Sequence, residues 1–304
     1  MTGPIVDIHP HIISTDTQRY PPSPLFGIQS DWSKERPASD EQLIAAMDEA
    51  GVAKTAIVHA STCYGFDNSY VADAVARFPR RCTGVGSIDM LAPDAAAVAG
   101  NWLARGITGL RIFTGGSTKT VDASTLDDPR SYPVWELMSE RRLSMCVQTN
   151  TTGIPATIAL AKRFPNVPII LDHFGRPDAG GGPPYAAAAP LMSLATLANV
   201  YLKFTPVVLA RLKECNADVA IPPRQPFLPD RRRKLPVMHA FMGRLVQEFG
   251  ADRIAWGSNW PNSPGTLEQH VATAKAALAG LSEADRDAIL SGTALRLYPA
   301  LRGG

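Results

Sequence analysis

Eight short apolar runs recur along the chain, at residues 5–9, 55–59, 83–88, 109–113, 143–148, 167–172, 200–204 and 253–257, with helical patterns between them. Each run is too short for a helix, and most are rich in Val, Ile or Leu, as strands buried on both faces should be. The segments between carry helix punctuation. Ser39-Asp40-Glu41-Gln42 reads as a capping box opening a helix that stops at Gly51. Segment 93–105 is Ala-rich and stops at Gly106, and 132–142, 153–164 and 187–198 follow the same rhythm. Segment 234–249 ends at Gly250, and Ser282-Glu283-Ala284-Asp285 caps a terminal helical stretch, 281–301. Such alternation builds either a closed (β/α)8 barrel or an open doubly wound sheet. Two features favour an α/β chain of the (β/α)8 TIM-barrel type, in one domain over residues 1–304. No Gly-rich phosphate loop follows the first run, and the chemically interesting residues fall just after several different runs, where barrel enzymes keep their sites.

Three stretches break the rhythm and read as loop insertions at the barrel mouth. Residues 12–38 are polar and Pro-rich, 174–186 contain Gly180-Gly181-Gly182-Pro183-Pro184, and 205–236 carry six prolines, too many for an uninterrupted helix. Long loops in a compact domain are usually lids or binding loops.

Composition excludes some partners. Thirty basic against 28 acidic residues give a net charge of +2, so no bulk field argues for nucleic acid or a membrane surface. The run Arg231-Arg232-Arg233-Lys234 is short and reads as a solvated loop or helix start. Cys63, Cys82, Cys146 and Cys215 show no paired metal or redox spacing. No apolar run approaches the roughly 18 residues of a membrane helix, and the first strand begins too early to leave room for a leader. A soluble cytoplasmic protein acting on a small molecule is expected, with homo-oligomerisation left open.

Three motifs carry chemistry. In Val6-Asp7-Ile8-His9-Pro10-His11 the two histidines point the same way from a strand end, which aims two imidazoles at one point. In Ile169-Ile170-Leu171-Asp172-His173-Phe174-Gly175, His173 emerges at another strand terminus. In Trp256-Gly257-Ser258-Asn259-Trp260-Pro261, Gly257 permits a tight turn and Asn259 follows it.

Taken in order, these motifs resemble the amidohydrolase superfamily, in its branch of lactonases, 2-pyrone-4,6-dicarboxylate hydrolases and related decarboxylases. The resemblance runs from residue 5 to about residue 298 and includes Ile289-Leu290-Ser291-Gly292-Thr293-Ala294, similar to that family's C-terminal helix with Thr293 in place of the common Asn. It implies an amidohydrolase-type barrel in which His9, His11, His173 and the residue at 259 surround a reacting carbonyl. In metal-dependent members these positions hold a divalent ion, often zinc, so His9, His11, His173 and Asn259 form the implied metal set; other members work without metal. The implied reaction is opening of a cyclic ester by water, with the final acid as general base. Here an amide stands in that place. An amide accepts no proton at working pH and is a poorer metal ligand. The otherwise intact motif favours an inactive Asp-to-Asn form made to hold substrate; a binding protein with a native Asn, or use of another base, are the alternatives. A second reaction implied by the branch is nonoxidative decarboxylation of a hydroxylated aromatic acid, whose enzymes commonly open with a Glu-x-His pair that this chain lacks. A non-catalytic ligand-binding barrel is the third.

Several strand-end and loop residues are candidates for holding an anionic ring substrate: Arg111, Gln148, Lys203 and His59 on the runs, Arg176 and Arg224 on loops, and Trp32 as a cap over the site. Arginine forks match carboxylates two-point. Arg111 or Lys203 pairing with a buried acid between strands is the competing reading. Phe26, Tyr64 and Phe113 are further candidates for walling a planar ring.

Overall fold

The computed structural model describes residues 3–114, 118–119, 121–179, 182–211 and 235–303. All eight apolar runs form strands: β1 (Ile5–Asp7), β2 (Val52–Val58), β3 (Cys82–Gly86), β4 (Ile107–Phe113), β5 (Ser144–Gln148), β6 (Ile169–Asp172), β7 (Val200–Phe204) and β8 (Ile254–Trp256). Each pairs in parallel with the next, giving one sheet in the order of the chain. The sheet curls into a nearly closed (β/α)8 barrel. Where β8 returns to β1, Ile8 N–H donates to the Trp256 carbonyl at 3.1 Å and His11 N–H to that of Trp260 at 2.8 Å. Asp7 spans the same seam, its Oδ1 accepting from His9 N–H at 2.9 Å and Ser258 N–H at 2.8 Å. Gly257 is required there, because a Cβ at that position would lie 2.5 Å from the His9 Cβ.

Strand alternation separates two cores. Leu110, Ile169, Leu171, Val200 and Leu202 face outward into the large layer between strands and helices. Cys146, Ile170 and Ala255 face inward, where Leu297 and Tyr298 of the C-terminal segment plug the barrel floor. Ser144 Oγ donates to the Leu297 carbonyl at 2.9 Å, and the Tyr298 hydroxyl lies 3.5 Å from the Cys146 thiol. The same alternation turns Arg111, Gln148, Asp172 and Lys203 inward, near the C-terminal strand ends.

The capping-box reading holds in full. Ser39 Oγ accepts from Gln42 N–H at 3.2 Å, Gln42 Oε1 accepts from Ser39 N–H at 2.8 Å, and Gly51 closes the helix Asp40–Ala50 at φ 69°. Other segments differ from the pattern. Residues 187–198 break into short turns around Ala189–Met192, and the terminal stretch is interrupted by a π turn at Ala288–Gly292. The helices Ser69–Arg77 and Leu267–Ala277 complete two of the crossovers. The first starts without a side-chain cap; the second has a capping box of Thr266 and Gln269. Segment 12–38 folds as an insertion containing the short helix Asp31–Glu35. Segment 205–236 starts with the helix Pro206–Arg211; residues 212–234, including Cys215 and the run at 231–234, lie outside the described residues. No helix among the described residues is long and apolar enough to cross a membrane.

Candidate active site

A cavity of about 350 Å3 opens at the C-terminal ends of the strands. His11, His59, Arg111, Gln148, His173 and Asn259 line it from six strand ends, and Trp32 and Arg176 line it from loops. Phe26 and Phe113 also border it, whereas Tyr64 does not. Trp32 sits over His11, the ring centroids 5.2 Å apart.

The three motif histidines converge. The His9 ring centroid lies 5.0 Å from that of His11 and 5.0 Å from that of His173. His9 is fully buried behind the cavity wall, and neither of its ring nitrogens has a hydrogen-bond partner among the described residues. His11 Nδ1 lies 2.7 Å from the Val58 carbonyl. A carbonyl only accepts, so Nδ1 carries the proton and Nε2 keeps its lone pair. His59 is fixed the opposite way, its Nε2–H donating to the Gly65 carbonyl at 2.9 Å. His173 Nδ1 is 2.7 Å from the Thr205 hydroxyl. Burial is the main reason these imidazoles resist protonation: it pushes His11 and His173 down to about 3 and His59 to about 4, and His9 falls well below its ordinary value. At neutral pH the walls therefore present uncharged rings.

Charge enters through one buried carboxylate. Asp172 accepts from Arg111 Nε at 2.8 Å through Oδ2, and Lys203 Nζ lies 2.7 Å from Oδ1. His9 Nδ1 is 3.8 Å from that same oxygen. Burial works against the Asp172 charge, but the Lys203 and Arg111 charges outweigh it and hold the carboxyl below the usual range. Lys203, expected either to hold substrate or to pair with a buried acid, is fully buried, pairs with Asp172 and is not among the cavity-lining residues. Arg111 does both, giving Nε to Asp172 while lining the cavity. Arg224 lies outside the described residues.

Backbone strain gathers here too. His173, Phe174, Arg176 and Asn259 all have φ between 53° and 56°, the left-handed region that costs most side chains energy and that Asn tolerates best. Among the described residues no group of three His, Cys, Asp or Glu side chains is arranged to hold a metal ion. His9 and His11 have lone pairs to offer, yet the neighbouring carboxylate is already shared by two cations and residue 259 supplies only an amide. As placed, the donor set does not make a metal centre. Sequence reasoning passed over Asp172, which it saw only as a strand ending, and Ser61 and Ser263, which line the cavity. Asp172 sits at the inward parity of β6 opposite two inward cations, and that was the available signal.

The amidohydrolase family profile matches residues 6–300, and the chain belongs to that family. Among characterised relatives, an L-fucono-1,5-lactonase of Burkholderia ambifaria is 27% identical over 262 residues, covering 85% of this chain and 80% of the relative. A 4-sulfomuconolactone hydrolase of Rhizobium radiobacter is 27% identical over 233 residues, covering 73% and 66%. Solved structures share the fold at lower identity. A protein of Pseudomonas putida assigned as a 2-pyrone-4,6-dicarboxylic acid hydrolase superposes with a TM-score of 0.76 at 22% identity, over 99% of both chains. An amidohydrolase of Burkholderia multivorans with bound zinc gives 0.74 at 20%, over 98% of this chain and 99% of that one. A 2,6-dihydroxybenzoate decarboxylase from Rhizobium gives 0.66 at 17%, over all of both chains.

Proposed function

We propose that this chain hydrolyses a cyclic ester, a lactone or pyrone bearing a carboxylate. One observation carries the reading: His11, His173, Arg111 and Asn259, from four distant strand ends, face one cavity in a chain whose characterised relatives open lactones. Arg111 presents a guanidinium to the cavity with its Nε committed to Asp172, which suits it to an anionic group: the substrate carboxylate, or the carbonyl oxygen as negative charge develops. Gln148 and Arg176 border the same space and would orient the ring, and Trp32 would cover it. His11 is held with Nε2 as an acceptor, so it can receive a hydrogen bond from water but cannot, while neutral, donate one to the carbonyl.

A divalent ion, zinc in the first instance, would supply Lewis-acid polarisation of that carbonyl if His9, His11 and His173 closed around it. Their present arrangement does not favour this, and no step is assigned to it. Decarboxylation of a hydroxylated aromatic acid gains support only at the level of the shared fold. A panel of lactones, pyrones and hydroxybenzoates, followed by proton release and by carbon dioxide evolution, tests the proposal. Ring opening without gas is expected. Gas release, or silence across every lactone with the chain as it stands and as Asn259→Asp, would overturn it.

A further inference from the structure

The amide at 259 is built into a scaffold. Asn259 Nδ2 donates to Ser263 Oγ at 2.9 Å, and Ser263 N–H donates back to the Asn259 carbonyl at 2.7 Å. The Ser263 carbonyl in turn lies 3.2 Å from Nε2 of His270, on the helix Leu267–Ala277. Both Asn259 and Ser263 line the cavity while being 2% and 8% exposed. The other end of the amide, Oδ1, is buried and has no partner among the described residues. A buried acceptor left without a donor is unfavourable. With Nδ2 engaged by Ser263, the hydrogen-bonding capacity that residue 259, a cavity-lining residue, has left is that of an acceptor.

We propose that Asn259 works as an amide: its Oδ1 accepts a hydrogen bond from the attacking water, and Ser263 is the positioning residue that keeps the amide turned that way. On this account the amide is not a disabled carboxylate. It aims the nucleophile without taking the proton: as the water oxygen bonds to the carbonyl carbon and the ring C–O bond breaks, the water's proton passes by way of the His11 Nε2 lone pair to the departing ring oxygen. The inference rests on the cyclic-ester reading. It replaces the sequence expectation that the Asn marks an inactive form.

The test compares kcat, KM and melting temperature for the chain as it stands and for Asn259→Asp, Asn259→Ala, Ser263→Ala, Ser263→Thr and the double Ala variant, on whichever lactone of the panel turns over. The chain as it stands is expected to be active, and Asn259→Ala to lose about 100-fold in kcat, the scale of one lost hydrogen bond to reacting atoms. Ser263→Ala should lose about tenfold in kcat with KM nearly constant, and Ser263→Thr, which keeps the hydroxyl, should recover most of it. The double variant should be no worse than Asn259→Ala alone, because the two act as a unit. Where Asn259→Ala fails to fold, the Ser263→Ala and Ser263→Thr pair decides. Activity that appears only in Asn259→Asp overturns the inference and leaves lactone hydrolysis standing. Unchanged kcat in Ser263→Ala overturns it as well. Silence in every form overturns both readings together.

Discussion

Arg111 Nε lies 2.8 Å from Asp172 Oδ2, joining β4 to β6 across the barrel interior immediately beneath the cavity. Removing one partner of a buried ion pair leaves an uncompensated charge and costs about 3–5 kcal/mol. Asp172→Asn leaves both Arg111 and Lys203 without their carboxylate, so urea unfolding should show a loss near the top of that range. Arg111→Met should instead lower kcat/KM by about 100-fold with a smaller loss of stability. Equal effects of the two variants on stability and on activity would show that the pair is a strut only.

Acid should destabilise the fold through its neutral imidazoles. His59 falls to about 4 in the folded chain, chiefly by burial, and His11 and His173 to about 3. A histidine depressed in this way contributes stability that is complete above its unfolded value near 6.5 and is drained as pH falls toward the folded value. Each unit of difference is worth about 1.4 kcal/mol. For His59 the loss by pH 4 is then on the order of 3 kcal/mol. The melting temperature of His59→Gln, measured from pH 7 to 4, should decline less steeply than that of the parent chain.

Gly257→Ala tests the closeness of β8 to β1. The added methyl would lie 2.5 Å from the His9 Cβ and 3.1 Å from the His9 backbone nitrogen. Since one contact is to backbone, relief requires the strand ends to part. A destabilisation of about 2 kcal/mol or more, with turnover falling further than stability explains, is the expected result of denaturation and kinetic assays run together.

Metal analysis separates two ways of polarising the carbonyl. With Arg111 in that role, hydrolysis should survive dialysis against a strong chelator, and purified protein should carry well under one zinc per chain. One tightly held zinc per chain, with activity lost on chelation and restored by the metal, would instead assign the polarising role to an ion among the three imidazoles.

The barrel was legible because its strands announce themselves: eight short apolar runs, most of them rich in Val, Ile or Leu, became eight parallel neighbours in chain order. The convergence of His9, His11 and His173 was legible for a related reason, since strand ends in a barrel share one rim. What period and spacing could not decide was which partner an inward cation would choose. Lys203 and Arg111 are equivalent in sequence, each at the inward parity of a strand. Only three-dimensional neighbourhood shows Lys203 spent on Asp172 while Arg111 also reaches the cavity. The helical pattern around His270 is the helix Leu267–Ala277, opened by a Thr266–Gln269 capping box of the same kind as the one at Ser39 and Gln42. The Ser263–Asn259 contact, four residues apart on an irregular turn, follows no repeating pattern at all.

Asp7 adds side-chain bonds to the backbone ones that join β8 to β1, holding the amides of His9 and Ser258 on one oxygen. Burial lifts its carboxyl to about 6, against the pull of those donors. The latch therefore ties the backbone of the first histidine to the residue that precedes the amide at 259. Engineering that stiffens or loosens this joint for thermal tolerance will retune the reaction centre in the same stroke.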